Sequence, residues 1–194
     1  MNVFVNGKPL EVRVSAVASL QDILLQVENL CPMSQIVTSV ILNGRTLESD
    51  WMQHAGSTYI LAEDKLELAS EDAVDLGRRA FVDSRGHLQN LMQRIADVAD
   101  HFRMDDEAAA NTHYVQCIDM LQAYFNVLQE STRLMGLPLL SLKAGDHPMN
   151  ELMDNIGQKL SELIDIQKNR DWILLADMLE YELTPLLKQV ELIY

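Results

Sequence analysis

The sequence predicts an α+β protein in which a small sheet with one crossing helix, residues 1–70, precedes an all-helical domain, residues 73–194. Three observations carry this. Apolar and polar residues alternate with period two around Asn6-Gly7 and again before Asn43-Gly44, as strands do. From Ala73 onward the apolar period lengthens to about 3.6, the period of a helix. With 48% hydrophobic residues and only 5 Pro and 8 Gly in 194, both segments hold enough apolar side chains for a core, so disorder is excluded.

Val3 and Val5 flank Phe4, and Leu10, Val12 and Val14 alternate with Glu11 and Arg13. Asn-Gly between two such runs is a hairpin signal, because both residues tolerate the positive φ of a tight turn. Ser19 is the expected N-cap of a helix whose apolar stripe is Leu20, Ile23, Leu24 and Val27, and which ends before Cys31-Pro32. Ile36 to Leu42 reads as a buried central strand that Asn43-Gly44 turns into Arg45-Thr46-Leu47. Tyr59-Ile60-Leu61 and Leu66-Glu67-Leu68 are two further short strands around Glu63-Asp64.

Strand, strand, helix, strand, short strand, strand, with these residues, resembles the ubiquitin-like β-grasp fold. It is most similar to the small sulfur carriers of thiamin and molybdopterin biosynthesis. The similarity rests on the opening Asn-Gly turn, the helix Leu20-Gln21-Asp22-Ile23-Leu24-Leu25, the strand Val40-Ile41-Leu42-Asn43-Gly44, the following Trp51, and the final strand after Glu63-Asp64. It covers about a third of the chain. Those carriers act through a C-terminal Gly-Gly, whereas here Ala69-Ser70-Glu71-Asp72 follows the last strand and leads into a helix, so the resemblance implies the fold without the transfer chemistry.

The junction is expected at Glu71 to Leu76, and the second domain as an antiparallel bundle of three to four helices. The first helix carries Leu88, Leu91, Met92, Ile95, Val98, Ala99 and Phe102, with a turn expected within or before it at Ser84-Arg85-Gly86. Asp105-Asp106-Glu107 marks the next start, because carboxylates favour a helix N-terminus. That helix carries Tyr114, Cys117, Ile118, Leu121, Phe125, Leu128 and Leu134, and stops at Gly136 and Pro138. The third shows Leu152, Met153, Ile156, Leu160, Leu163 and Ile164, with a break at Asn169-Arg170-Asp171. The fourth carries Trp172, Leu175, Ala176, Leu179, Leu183, Leu186 and Val190, and Pro185 is expected to bend or loosen it.

The net charge of −14 opposes binding to DNA, RNA or anionic lipid, which requires clustered Lys and Arg. Both halves are acidic, with 4 basic against 10 acidic residues through Asp72 and 11 against 19 after it. Cys31 and Cys117 have no CxxC spacing, and no basic-plus-apolar leader or membrane-length apolar run is present, so a reducing cytoplasm is the expected compartment.

Asp177 and Glu180, three apart on one helix face with Asp171 and Glu182 nearby, read as a solvated acidic face or, alternatively, as metal ligands or acid/base groups. No Glu-x-x-His motif accompanies them, so no di-metal site and no cofactor is expected. His101 beside Asp100, together with His113, lacks a nucleophile in a recognisable setting, and no phosphate-binding glycine pattern occurs. Of the 10 methionines, seven follow residue 80; Met92, Met120, Met153 and Met178, with Trp172, read either as core filling or as an adaptable surface for an apolar helix. The expected function is non-enzymatic: an adaptor or chaperone-like binder of an amphipathic protein segment. Alternatives are a small metal or acid/base enzyme using Asp177 and Glu180, and a structural homo-oligomer such as a homodimer. In kind this resembles the small helical export and flagellar chaperones, and residues 171–183 are similar to endings of uncharacterised bacterial proteins.

Overall fold

The computed structural model describes residues 2–13, 17–31, 34–48, 50–104 and 107–194. Val14, Pro32, Asp105 and Asp106, which figure in the sequence reading, lie outside the described residues. The chain is mixed α+β and divides into two compact units, Met1–Leu76 and Gly77–Tyr194. No described helix is long and apolar enough to cross a membrane.

In the first unit, β1 (Asn2–Val5) and β2 (Lys8–Leu10) form an antiparallel hairpin across Asn6-Gly7. Asn6 and Gly7 both have positive φ, 49° and 76°, the geometry that matches the twist of the paired strands. β4 (Gln35–Leu42) and β5 (Arg45–Thr46) repeat the device at Asn43-Gly44, with φ of 52° and 80°. β7 (Lys65–Asp72) is longer than the Leu66–Leu68 strand expected, because it is central. It pairs in parallel with β1 and antiparallel with β4, giving the order β2-β1-β7-β4-β5.

The two turn asparagines fasten this central strand. Asn6 donates to the Ser70 carbonyl at 3.0 Å and accepts from the Ser70 N–H at 2.9 Å. Asn43 donates to the Asp64 carboxylate at 2.8 Å and accepts from the Lys65 N–H at 2.9 Å. The Asn43 hydrogen bond, and after it the Leu61 N–H, holds the Asp64 carboxyl below the usual carboxylate range.

α1 (Leu20–Leu30) begins with the expected cap: Ser19 Oγ accepts from the Asp22 N–H at 3.1 Å and the Asp22 carboxylate accepts from the Ser19 N–H, a capping box. Leu20, Ile23 and Val27 are buried against Val3, Val40, Leu66 and Leu68 of the sheet. Two elements go beyond the sequence reading. β3 (Val17–Ser19) pairs antiparallel with β6 (Tyr59–Leu61), burying Ala18 and Ile60, and α2 (Trp51–His54) packs Trp51 on the same core.

β7 passes directly into α3 (Ala73–Arg103), with the Asp72 carboxylate accepting from the Val74 N–H at 2.9 Å. The turn expected at Ser84-Arg85-Gly86 is absent, and α3 is continuous there. Ser84 is buried with its hydroxyl donating to the Phe81 carbonyl one turn back and touching the Tyr194 hydroxyl at 2.5 Å, while Gly86 faces open space. A turn signal made of Ser and Gly is overridden once the Ser satisfies itself within the helix.

α4 (Glu107–Leu134) stops where expected. Gly136 has φ of 72°, its N–H reaches the Arg133 carbonyl, and the Leu137 N–H reaches the Thr132 carbonyl at 2.8 Å. This is the paired hydrogen bonding of a Schellman ending, for which a left-handed Gly is suited. A short 3₁₀ turn (Leu139–Ser141) and the small ribbon β8 (Lys143–Ala144) and β9 (His147–Pro148) lead into α5 (Met149–Lys168). The last helical run is α6 (Trp172–Asp177), a π-helical segment (Met178–Leu183) and α7 (Thr184–Val190).

Pro185 explains that π segment. It has no N–H, and its ring crowds the carbonyl four residues back in a regular helix. The preceding turn widens instead: Thr184 bonds to the Leu179 carbonyl five residues back, through its N–H and through its hydroxyl at 2.9 Å. Widening brings Leu175, Leu179, Leu183 and Leu187, each four apart, into the core. At 3.6 residues per turn that spacing drifts by about a third of a turn over the run. The regular period therefore points to Leu186, which is only half-buried, whereas the structure buries Leu187.

Candidate functional site

The Schellman ending of α4 turns the chain outward at Leu137, and Pro138 keeps Leu139 to Ser141 in a tight 3₁₀ turn. Leu139 is buried, but Leu137 and Leu140 remain 45% and 59% exposed. With Phe125 and Gln129 of α4 and Met153 of α5 they line an open groove of about 680 Å³, rimmed by Arg133 and Gly136. Arg133 is held at the rim by an ion pair with Glu130 at 2.7 Å. Such a surface can desolvate an apolar segment, at about 25 cal/mol per Å² buried, and offers few polar groups for chemistry.

The methionines considered above do not form one surface. Met153 lines this groove, whereas Met120 borders a separate cleft of about 200 Å³ with Ser84, His87 and Tyr124. Met92 and Met178 are half-buried against the helical core, so they fill it. Trp172 stacks on Phe102, with ring centroids 5.4 Å apart and planes 10° apart, beside a cavity lined by Arg103, Asn169 and Arg170.

The acidic group of the last helical run separates into three local roles. Asp171 caps α6 by accepting from the Leu174 N–H at 3.1 Å. Glu182 faces Lys159 at 3.5 Å, and Glu162 pairs with the same lysine at 3.0 Å; that hydrogen bond raises the Lys159 pKa and lowers the Glu162 pKa. Asp177 and Glu180 both bind Arg103, at 2.8 and 2.5 Å, and Asp100 lies 3.6 Å from the same guanidinium. The Tyr181 ring lies under it at 5.8 Å. Donating hydrogen bonds to Asp177, and after it to Glu180, raises the Arg103 pKa, so a permanent cation occupies the position between the two carboxylates.

Among the described residues no three His, Cys, Asp or Glu side chains stand where they could share a metal ion. His101 and His113 contact ring to ring at 5.4 Å. Cys117 is buried and its thiol pKa is pushed up by that burial, which opposes thiolate chemistry. Leu137 and Leu140 were missed in the sequence reading because an apolar run after a helix stop gives no period; the sign was the run Leu137-Pro138-Leu139-Leu140 itself.

Residues 81–192 match the family described as a domain of unknown function (DUF8042). That match spans more than half of the chain, and the protein belongs to this family. No curated protein and no solved structure matches it significantly.

Proposed function

We propose that this member of the family is a non-enzymatic protein–protein interaction module, an adaptor or chaperone-like binder whose helical bundle receives an amphipathic segment of a partner protein. One observation carries the reading: the groove between Phe125, Leu137, Leu140 and Met153 is open and apolar. Leu137 and Leu140, both exposed, line it together with half-buried Phe125 and Met153. Met153 gives the floor a flexible, polarisable side chain that suits varied apolar partners. Asp177 and Glu180, the carboxylates considered for chemistry, are engaged with Arg103, which favours binding over catalysis.

The first unit, in this proposal, is a ubiquitin-like β-grasp used as a scaffold or second contact surface. Its mixed five-stranded sheet, with β1 and β7 parallel at the centre and α1 across one face, supports that assignment. The compartment proposed is the cytoplasm, in keeping with two free thiols.

The test is site-directed photo-cross-linking in cells of the source organism. A photoreactive phenylalanine analogue at position 140 is expected to give a discrete adduct with one protein, and the same analogue at exposed Val82 of α3 is expected to give none. Equal labelling at both positions, or none at position 140, sinks the reading.

A further inference from the structure

The five-stranded sheet ends on β2 at one side and on β5 at the other, but β5 reaches only Ile41 and Leu42 of β4, so the first half of β4 forms the edge there. Ser70 of β7 stands opposite Val37, and both its N–H and its carbonyl are bonded to Asn6 on the β1 side. Its backbone therefore faces away from β4, and the Val37 N–H and C=O point away from β7. The Ser34 carbonyl accepts from the Ala73 N–H at 2.6 Å, toward β7, and the alternation from there turns Ile36 inward and Gln35 outward. Val40 also faces outward, accepting from the Leu47 N–H at 2.9 Å; the register shift between Val37 and Ser39 supplies the extra residue that lets Val37 and Val40 both do so. Among the described residues the outward backbone groups of Gln35 and Val37 have no partner.

The opposite edge is closed. Val5 and Lys8 flank a two-residue turn and exchange the hairpin's hydrogen bonds, which leaves Pro9 facing outward with no N–H to offer. β4 carries neither proline nor a charged residue, the usual means of blunting an edge. Beside it lies a cavity of about 450 Å³, lined by Leu24 of α1 and by Trp51 and Met52 of α2, and bordered by Gln35 and Val37. Glu28 is the one charged residue of its lining, and Met52 is 65% exposed.

We infer that β4 receives an extended strand of a partner protein, which pairs with Gln35 and Val37 and places an apolar side chain in this cavity. The backbone specifies the occupant. Two outward-facing residues two apart offer donors and acceptors at a repeat of about 7 Å, which a strand matches and a helix, bonded within itself, does not. The cavity selects the apolar side chain, and Glu28 disfavours a carboxylate beside it. A second copy of β4 does not fit, because its Val37 is packed on its own core and no apolar side chain is left to enter. The inference rests on the interaction role proposed above and gives the sheet unit a contact of its own, separate from the groove at Leu140.

The experiment selects a phage-displayed library of random 12-residue peptides on the full-length protein. Recovered peptides are measured by calorimetry against wild type, Val37→Pro, Met52→Glu and Leu140→Glu. Val37→Pro removes an N–H that the fold does not use, the device seen at Pro9. Met52→Glu alters an exposed side chain of the cavity, and it carries the test if the proline variant does not fold. The peptides are expected to hold an apolar residue among β-branched ones, to bind Val37→Pro and Met52→Glu at least tenfold more weakly than wild type, and to bind Leu140→Glu as wild type. In the free protein the Gln35 and Val37 amides are expected to exchange with solvent faster than those of Ile36 and Ser39, and bound peptide to slow them.

Peptides that bind Val37→Pro and Met52→Glu as tightly as wild type overturn the inference; their loss on Leu140→Glu alone assigns them to the helical groove, whose function then stands. Loss on Met52→Glu with a folded Val37→Pro unaffected overturns strand pairing. Slow exchange at Val37 in the free protein, or a library that yields no binder, overturns the inference as well, and cross-linking at position 140 still decides the groove. A wild-type dimer that Val37→Pro dissociates makes a second copy the occupant and overturns the partner strand.

Discussion

The turn asparagines of the sheet unit and Arg103 of the helical unit use polar side chains in different ways. In the sheet unit, Asn6, Asn43 and Ser19 bond to backbone groups and so fix where strands and a helix begin. In the helical unit, Arg103 bonds side chain to side chain with Asp177 and Glu180, holding helices that hydrogen bonding has already built. A backbone-directed polar group specifies local geometry, and its loss is felt by one element. A side-chain pair specifies how finished elements meet, and at half-exposed positions solvent replaces much of it.

The contrast is tested most strongly by removing core volume on one side only. Leu66→Ala, at a fully buried position of β7, is expected to destabilise the sheet unit by about 2–5 kcal/mol. The helical far-UV signal, which arises mainly from the second unit with its own core, should then melt near its wild-type temperature. A single joint transition shifted by the full amount would erase the distinction between units.

Asn43→Ala removes two hydrogen bonds to the start of β7 and places alanine at φ of 52°, so roughly 2 kcal/mol should be lost. Asn43→Gly restores the backbone freedom alone and is expected to recover part of that loss in chemical denaturation. Full recovery would show that the side-chain bonds contribute nothing. Gly77→Ala should cost roughly 1–2 kcal/mol, the overpacking against Ser131 outweighing the gain in helix propensity. A rise in melting temperature would contradict the close approach.

Glu180→Gln is the weakest perturbation in the helical unit, expected to cost less than about 1 kcal/mol because the side chain is 37% exposed and Asp177 keeps its bond to Arg103. A double-mutant cycle with Arg103→Gln measures the coupling. A value near that of a buried ion pair would show that the two units do not differ as described.

Acid supplies the final comparison. Asp64 has a lowered pKa in the folded state, so its contribution is present above the unfolded value near 3.9 and fades as pH falls through the folded value. As pH falls below about 4 the wild-type sheet unit should lose stability that Asp64→Asn does not lose. Parallel pH profiles for the two proteins would remove Asp64 from the account.

Within the first unit, what was legible in the sequence was local. Asn-Gly pairs, the Ser19 cap and the alternation of Val3, Phe4 and Val5 act over a few residues, and the structure uses each as the spacing predicts. β3 was not legible, because Val17 to Ser19 becomes a strand only by pairing with Tyr59 to Leu61, forty residues away. The same holds for the length of β7, whose last residues are strand because β4 lies beside them. For the candidate site, Phe125 and Met153 could be placed on helices from their period. Nothing in the period showed that Leu137 and Leu140 would join them.

By itself, then, the sequence determined the change from strands to helices near residue 73, the two hairpin turns, the helix stop at Gly136 and the acidic field, because each depends on neighbours in the chain or on summed charge. Only the tertiary structure decided that Ser84 is buried beside Tyr194, that Leu187 enters the core in place of Leu186, and that Asp177 and Glu180 serve Arg103. Those outcomes turn on partners that lie far apart in the chain, such as Tyr194 beside Ser84 and Arg103 beside Asp177, which packing alone brings within bonding distance.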